Sequence, residues 1–180
     1  MGKGLALVFS VLISSFSFAQ QTYTPVDAGS KVHFTIKNFA IKTGGDFTGL
    51  RGTVSFDPSK PSAASFNVSV EASTIDTDSE MRDEHLKEDE YFDVLKFPLI
   101  SFKSTRVSAS STPGRFYMFA DLTIKGTTRP IEFGFSATPK DGGYLFDGEF
   151  TIDRLDYKVG DKSFSLQDKV VVSLKVFAKK

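Results

Sequence analysis

The sequence predicts an all-β fold: one antiparallel, up-and-down β-barrel of about eight strands, with one short surface helix near residues 79–88. Apolar and polar residues alternate with a period of two through most of the chain after residue 20, which is typical of strands with one buried face. Turn-forming sequences such as Lys125-Gly126 and Asp141-Gly142-Gly143 separate these runs, so neighbouring strands are joined by short connections. Eight strands can close without exposed edges around a packed core or one ligand.

The alternating runs predict the strands in chain order. Their apolar positions are Val32, Phe34 and Ile36; Phe66, Val68 and Val70; Phe116, Met118, Ala120, Leu122 and Ile124; Ile131, Phe133, Phe135 and Ala137; Tyr144, Phe146, Gly148, Phe150 and Ile152; and Val170, Val172, Leu174 and Val176. Two further runs, 53–56 and 99–107, complete the predicted set. Pro130 precedes its run, where the missing N–H is least costly to a sheet.

Two segments break this pattern. Residues 78–90 contain seven acids and two bases, with Asp78 or Ser79 placed to cap a helix of about two to three turns. Residues 153–169 are long for a hairpin connection, and such loops often shape the mouth of a binding site.

The first 19 residues have the features of a secretory signal peptide. Lys3 precedes an apolar run from Leu5 to Ile13, and small residues end the segment at Ala19. The run is too short to span a membrane, for which about 20 residues are needed. We therefore expect one domain, residues 20–180, exported as a soluble periplasmic or secreted protein.

Composition excludes several classes of function. The chain has no cysteine, which rules out disulfides, thiol catalysis and cysteine metal sites. The 22 basic and 22 acidic residues give no electrostatic steering toward nucleic acid. The acidic run lacks the spacing of a calcium loop, and no nucleophile elbow, P-loop or dinucleotide fingerprint occurs. We predict no metal, no cofactor and no enzymatic activity.

His85, beside Asp83 and Glu84, is the one cluster that an enzyme hypothesis can use. Neighbouring helical positions point about 100° apart, so these side chains do not face one another on a helix. A hydrolase-type activity at this cluster is the weaker alternative. His33 lies alone on the polar side of its strand, where a surface or mouth position is expected.

The chain is rich in phenylalanine. Sixteen of its nineteen phenylalanines follow residue 19, and it has no tryptophan. Such rings either fill the core of a small barrel or line an apolar cavity, and the residues alone leave both alternatives open.

A longer pattern resembles the signature of the YceI-like family. It consists of Arg82-Asp83-Glu84-His85-Leu86, Tyr91-Phe92-Asp93-Val94, Lys96-Phe97-Pro98, Ile100 and Phe102-Lys103-Ser104. Further matching pieces are Phe47-Thr48-Gly49, Gly52-Thr53-Val54, Asp57-Pro58, the run from Asp121 to Pro130, and Arg154-Leu155-Asp156-Tyr157 with Gly160. The resemblance covers nearly all of the chain after the signal peptide, in order.

This resemblance implies a lipocalin-like barrel that holds a polyisoprenoid, such as an isoprenoid quinone or a polyprenyl precursor, in an apolar tunnel. It implies no catalytic residue. Our assignment of the tunnel wall rests on the alternating inward positions: Phe34, Ile36, Phe66, Val68, Phe102, Phe116, Met118, Phe133, Phe135, Phe146, Phe150, Val172 and Leu174. The mouth is assigned to His85, Tyr91, Phe92 and Tyr157. A bound isoprenoid is then the ligand, and transient contact with a membrane is expected. The sequence leaves open whether the protein forms a homodimer.

Overall fold

The computed structural model describes residues 21–180, so the predicted signal peptide lies outside the described residues. Within that range, nine strands and one α-helix form. The strands are β1 (Thr22–Asn38), β2 (Ile41–Phe47), β3 (Arg51–Ser55), β4 (Ser65–Glu71), β5 (Leu99–Ala109), β6 (Arg115–Ile124), β7 (Thr127–Lys140), β8 (Gly143–Asp153) and β9 (Lys169–Lys179). The helix α1 spans Glu80–Lys87, and 3-10 turns span Pro61–Ala63, Ala72–Thr74 and Arg154–Tyr157.

The strands close into an antiparallel barrel, which confirms the predicted fold class. Each strand from β3 to β9 pairs with the next, and β9 returns to pair with β1. The free edge of β1 pairs with β2 along its second half and with β3 at its start. Strands β2 and β3 therefore act as one interrupted strand, and eight strands surround the barrel.

A carboxylate spans the interruption between β2 and β3. The side chain of Asp27 lies in a register shift of β1 between Val26 and Lys31. It accepts hydrogen bonds from the backbone N–H groups of Gly49 (3.1 Å) and Leu50 (2.9 Å). These bonds satisfy backbone donors that have left the strand ladder, so the barrel stays closed where two strands break.

The up-and-down order divides the connections between two ends of the barrel. The upper end carries the β1–β2 turn, residues 72–98, the Lys125-Gly126 turn and residues 154–168. The lower end carries residues 56–64, 110–114 and 141–142. Both predicted irregular segments, the acidic helix and the long loop before β9, thus lie at the upper end. Among residues 21–180, no helix has the length and apolarity needed to cross a bilayer.

Aromatic rings fill the lower end. The buried ring of Phe56 lies with its centroid 5.3 Å from Phe116 and 5.2 Å from both Tyr144 and Phe146. Their near-perpendicular arrangement is favourable because ring edges meet ring faces. This cluster closes the bottom of the barrel.

Candidate functional site

An apolar cavity occupies the upper part of the barrel. Its volume is about 370 Å³, within the range of about 300–1,000 Å³ that is common for ligand pockets. Twelve of the thirteen predicted wall residues line it: Phe34, Ile36, Phe66, Val68, Phe102, Met118, Phe133, Phe135, Phe146, Phe150, Val172 and Leu174. That these positions hold a ligand stays a prediction.

Phe116 is the exception, and its assignment to the cavity wall is corrected here. It faces inward as predicted, but it lies at the lower end of β6 and packs against Phe56 and Phe135. Alternation along a strand specifies which face a side chain occupies and not its height along the barrel axis. Phe116 therefore belongs to the aromatic floor, and Met118, two residues further up, lines the cavity.

The glycine at position 148 makes room for one wall residue. A Cβ added to Gly148 would lie 2.8 Å from the Phe133 ring and 3.2 Å from the Phe135 Cβ. The Phe133 ring can lie flat against β8 only because this side chain is missing, and it stacks 4.9 Å from Phe150. Gly148 thus sets the width of the cavity at the level of Phe133.

All four predicted mouth residues, His85, Tyr91, Phe92 and Tyr157, line the upper part of the cavity. The His85 and Tyr91 rings meet edge to face with their centroids 4.9 Å apart. Burial, followed by the charge of Glu90, raises the pKa of Tyr91 above its ordinary value. The phenol is therefore neutral at physiological pH and adds no charge to the mouth.

Close backbone contacts join the loops of the upper end. The N–H of Gly160 donates to the Glu90 carbonyl at 2.9 Å, and a Cβ at Gly160 would lie 2.8 Å from the Tyr91 ring. The Lys125 ammonium group donates to the carbonyls of Glu90 and Lys158, each at 2.8 Å. Three separate connections thus form one rim around the cavity.

Buried Arg154 organises the long loop before β9. Its guanidinium donates to the carbonyls of Val159 (2.9 Å), Asp161 (2.8 Å) and Gln167 (3.1 Å). It also pairs with the Asp168 carboxylate at 3.0 Å. A planar guanidinium with five donors is suited to this role because it satisfies several loop carbonyls at once.

Tyr157 carries an unpartnered polar atom beside the cavity. Its side chain is only 2% exposed, and its hydroxyl has no hydrogen-bond partner among the described residues. Burial, with a smaller contribution from Asp156, raises the pKa of Tyr157 to about 12. The group is a neutral donor, and leaving it unsatisfied costs about 1–3 kcal/mol.

The histidine and carboxylates of the enzyme hypothesis do not come together. Asp83 accepts hydrogen bonds from the Thr77 backbone and hydroxyl, and Glu84 pairs with Lys87 at 2.7 Å. His85 instead lies 3.3 Å from Glu88, one helical turn further along. In residues 21–180, no group of three or more histidine, aspartate or glutamate side chains is arranged to hold a metal ion.

Sequence reasoning missed a polar pair on the cavity wall. His33 lines the cavity, and its Nδ1 lies 2.7 Å from a carboxylate oxygen of Asp46, its cross-strand partner on β2. The other Asp46 oxygen pairs with Lys31 at 3.3 Å. The pair could not be found from the sequence because β2 itself was not among the predicted strands.

Two further kinds of wall residue were also missed. Leu122 and Ile124 continue the alternation of Phe116 and Met118, so the sequence contained the signal for them. Val159 and Leu166 come from the loop before β9, where no periodic pattern indicates which side chains turn inward.

Comparisons with known proteins agree on one family. A family model described as a YceI-like domain matches residues 23–178. A UPF0312 protein of Pseudomonas syringae pv. syringae is 34% identical over 121 residues, which are 64% of this chain and 62% of the relative. Protein YceI of Salmonella newport is 36% identical over 87 residues, which are 48% of this chain and 44% of the relative. The matches therefore span less than two thirds of these relatives' length.

Solved structures share the fold. Burkholderia cenocepacia BcnA superposes with a TM-score of 0.80 at 24% identity, covering 86% of this chain and 99% of the other. A polyisoprenoid-binding domain from Saccharophagus degradans, implicated in plant cell wall breakdown, gives a TM-score of 0.69 at 12% identity. That match covers 89% of this chain and 98% of the domain. At these identities the likeness is one of fold.

Proposed function

Because this chain belongs to the YceI-like domain family, we propose that its barrel binds and carries a long-chain polyisoprenoid lipid, such as an isoprenoid quinone or a polyprenyl precursor. The observation that carries the proposal is the apolar cavity of about 370 Å³ above the aromatic floor. The fold shared with a polyisoprenoid-binding domain supports the choice of ligand class.

The physical basis of binding is the burial of hydrocarbon. Each buried CH₂ contributes about 0.8 kcal/mol, so roughly twenty buried carbons have a gross driving force of about 16 kcal/mol. Ordering a flexible chain and removing it from a membrane offset much of that gain. Carbon walls discriminate weakly among isoprenoids of equal width, so selectivity depends on cavity length and on polar groups at the rim.

The role needs no chemical step by the protein, and we assign it none. A filled structural barrel is the alternative that the sequence left open, but such a barrel would not keep a cavity of this size. The proposal includes export to the periplasm or secretion. This part depends on residues 1–19, which lie outside the described part of the chain.

Native mass spectrometry of the protein purified without detergent tests the proposal. We expect an added mass that organic extraction releases as an isoprenoid. Protein that carries no lipid and fails to load quinones or polyprenols would refute it.

A further inference from the structure

Three large apolar side chains project into solvent at one side of the upper end. Phe39 and Ile41 lie on the turn between β1 and β2 and are 67% and 72% exposed, and Phe164, in the loop before β9, is fully exposed. We call residues 37–42 and 162–165 together the apolar tip. Clusters of exposed apolar side chains are uncommon on soluble monomeric proteins and often mark an interaction site.

The apolar tip is an ordered structure joined by backbone contacts. The N–H of Phe39 donates to the Ser165 carbonyl at 2.6 Å, and that of Gln167 donates to the Lys37 carbonyl at 2.9 Å. The rings of Phe39 and Phe164 meet with their centroids 6.4 Å apart. The two loops therefore hold their aromatic rings together in solvent.

The backbone at Phe39 adds a second indication of function. Its φ is +54°, in the left-handed region that favours glycine or asparagine. A bulky aromatic residue in that conformation is strained, and such strain is concentrated at functional sites.

The apolar tip lies on the rim of the cavity. Asn38 of the apolar tip lines the cavity, and so do Ile36 and Leu166, which directly adjoin the apolar tip. Asn38, the last residue of β1, also forms an isolated antiparallel β-bridge with Leu166. A lipid that enters the cavity between these loops passes beside the exposed rings.

The charges around the rim differ from one side to the other. The apolar tip also carries the exposed Lys37, Lys42 and Lys162, and none of them forms an ion pair with a carboxylate among residues 21–180. Elsewhere at the upper end, residues 78–90 carry seven acids and two bases. An anionic surface is therefore attracted to the lysines of the apolar tip and repelled by residues 78–90.

We propose that the apolar tip docks on a lipid bilayer that contains anionic lipids. Phe39, Ile41 and Phe164 enter the boundary between headgroups and acyl chains, and the three lysines contact lipid phosphates. Helix α1 is turned away from the surface. In this docked orientation the cavity rim faces the membrane. The purpose of docking rests on the proposed lipid-carrying function, but the contact itself does not.

Vesicle flotation tests the contact directly. We expect the purified protein to float with vesicles of phosphatidylcholine mixed with phosphatidylglycerol, and less with phosphatidylcholine alone. Phe39→Asn combined with Phe164→Ser should lower the vesicle partition coefficient at least about tenfold, since two inserted rings are lost. Asparagine tolerates the left-handed turn, so the fold is retained, which circular dichroism checks.

Two controls sharpen the test. Tyr117→Ser removes an exposed ring on β6, away from the apolar tip, and should float like the unmodified protein. Lys37→Gln with Lys42→Gln should weaken flotation only on anionic vesicles, by about fivefold for each lysine.

Three results would overturn the proposal: no flotation of the unmodified protein, equal flotation of the double aromatic variant, or a dimer that this variant converts to monomer in the absence of vesicles. The last result would assign the apolar tip to a second copy of the chain. Isoprenoid content, measured by extraction from the same samples, reports on the carrier function separately. Flotation of a protein that neither carries isoprenoid nor loads quinones or polyprenols would uphold docking and refute the carrier function. Bound isoprenoid without flotation would refute docking alone.

Discussion

Filling the cavity from its wall should weaken lipid binding without harming the fold. Val172 on β9 is suited to this because it lines the cavity between its cross-strand partners Phe34 and Phe150. Its neighbour Val171 points to the opposite face of the same strand and does not line the cavity. The substitutions Val172→Phe and Val171→Phe therefore make the same chemical change inside and outside the barrel.

The expected loss follows from the volume that the new ring takes. Replacing valine by phenylalanine adds four carbons, which displace about four carbons of the ligand. At about 0.8 kcal/mol for each carbon, the loss is about 3 kcal/mol. This corresponds to a dissociation constant raised by about 200-fold. The free energy of unfolding of the lipid-free protein should stay equal or rise, because the ring occupies space that is otherwise empty.

Titration with an isoprenoid quinone, read as the bound fraction in native mass spectra, measures the effect. Urea unfolding of lipid-free samples measures stability. Unchanged affinity in a folded Val172→Phe variant would refute the assignment of the cavity as the binding site. An equal loss in Val171→Phe would mean that the effect does not depend on the cavity.

Three further substitutions test the walls and the rim. Gly148→Ala should force the Phe133 ring into the cavity, lowering the free energy of unfolding by about 1–3 kcal/mol and weakening lipid binding. Gly134→Ala is the control, because its Cβ would have no neighbour closer than 3.9 Å. Equal urea midpoints for the Gly148→Ala and Gly134→Ala variants would contradict this prediction. Arg154→Met should lower the free energy of unfolding by about 3–5 kcal/mol, since the loop carbonyls lose their buried donor, and calorimetry should show a clearly lower Tm. An unchanged Tm would mean that the loop does not depend on this side chain. Burial raises the pKa of Tyr157 from 10.0 to about 12, so the folded state favours the neutral phenol, and this stabilisation is complete below pH 10 and lost as the pH rises toward 12. Tyr157→Phe should remove about 3 kcal/mol of that alkaline loss, as urea titrations across this range would show. Parallel stability curves for the two proteins would contradict the assigned pKa.

The fold was largely predictable because its signal is local and repeated. Alternation in β4 to β9 and the two-residue turns identified the strands and their antiparallel order. Strand β2 was missed because Gly44 and Gly45 interrupt the apolar pattern. A Cβ at Gly44 would lie 2.6 Å from the Phe34 carbonyl oxygen, and one at Gly45 would lie 2.7 Å from the Thr77 side chain. These close approaches depend on the folded structure and are not visible in the composition of the strand.

The sequence predicted which face of each strand borders the candidate site, but not how high each residue lies along the barrel axis. Phe116 and Phe133 both occupy inward positions, yet one packs into the floor and the other lines the cavity. What separates them is the position of Phe56, which is far from both along the chain and fills the lower end. Wall residues contributed by loops, such as Val159, depend on the contacts of Arg154 and have no periodic signal.

The central claim is that an isoprenoid chain lies inside the barrel, above the aromatic floor. Intermolecular nuclear Overhauser effects between a loaded isoprenoid quinone and methyl-labelled protein measure this most directly. We expect contacts from the isoprenoid methyl groups to Val172 and Leu174 and none to Val171. Contacts to Val171, or a loaded protein without contacts to Val172 and Leu174, would place the lipid outside the barrel and contradict the account.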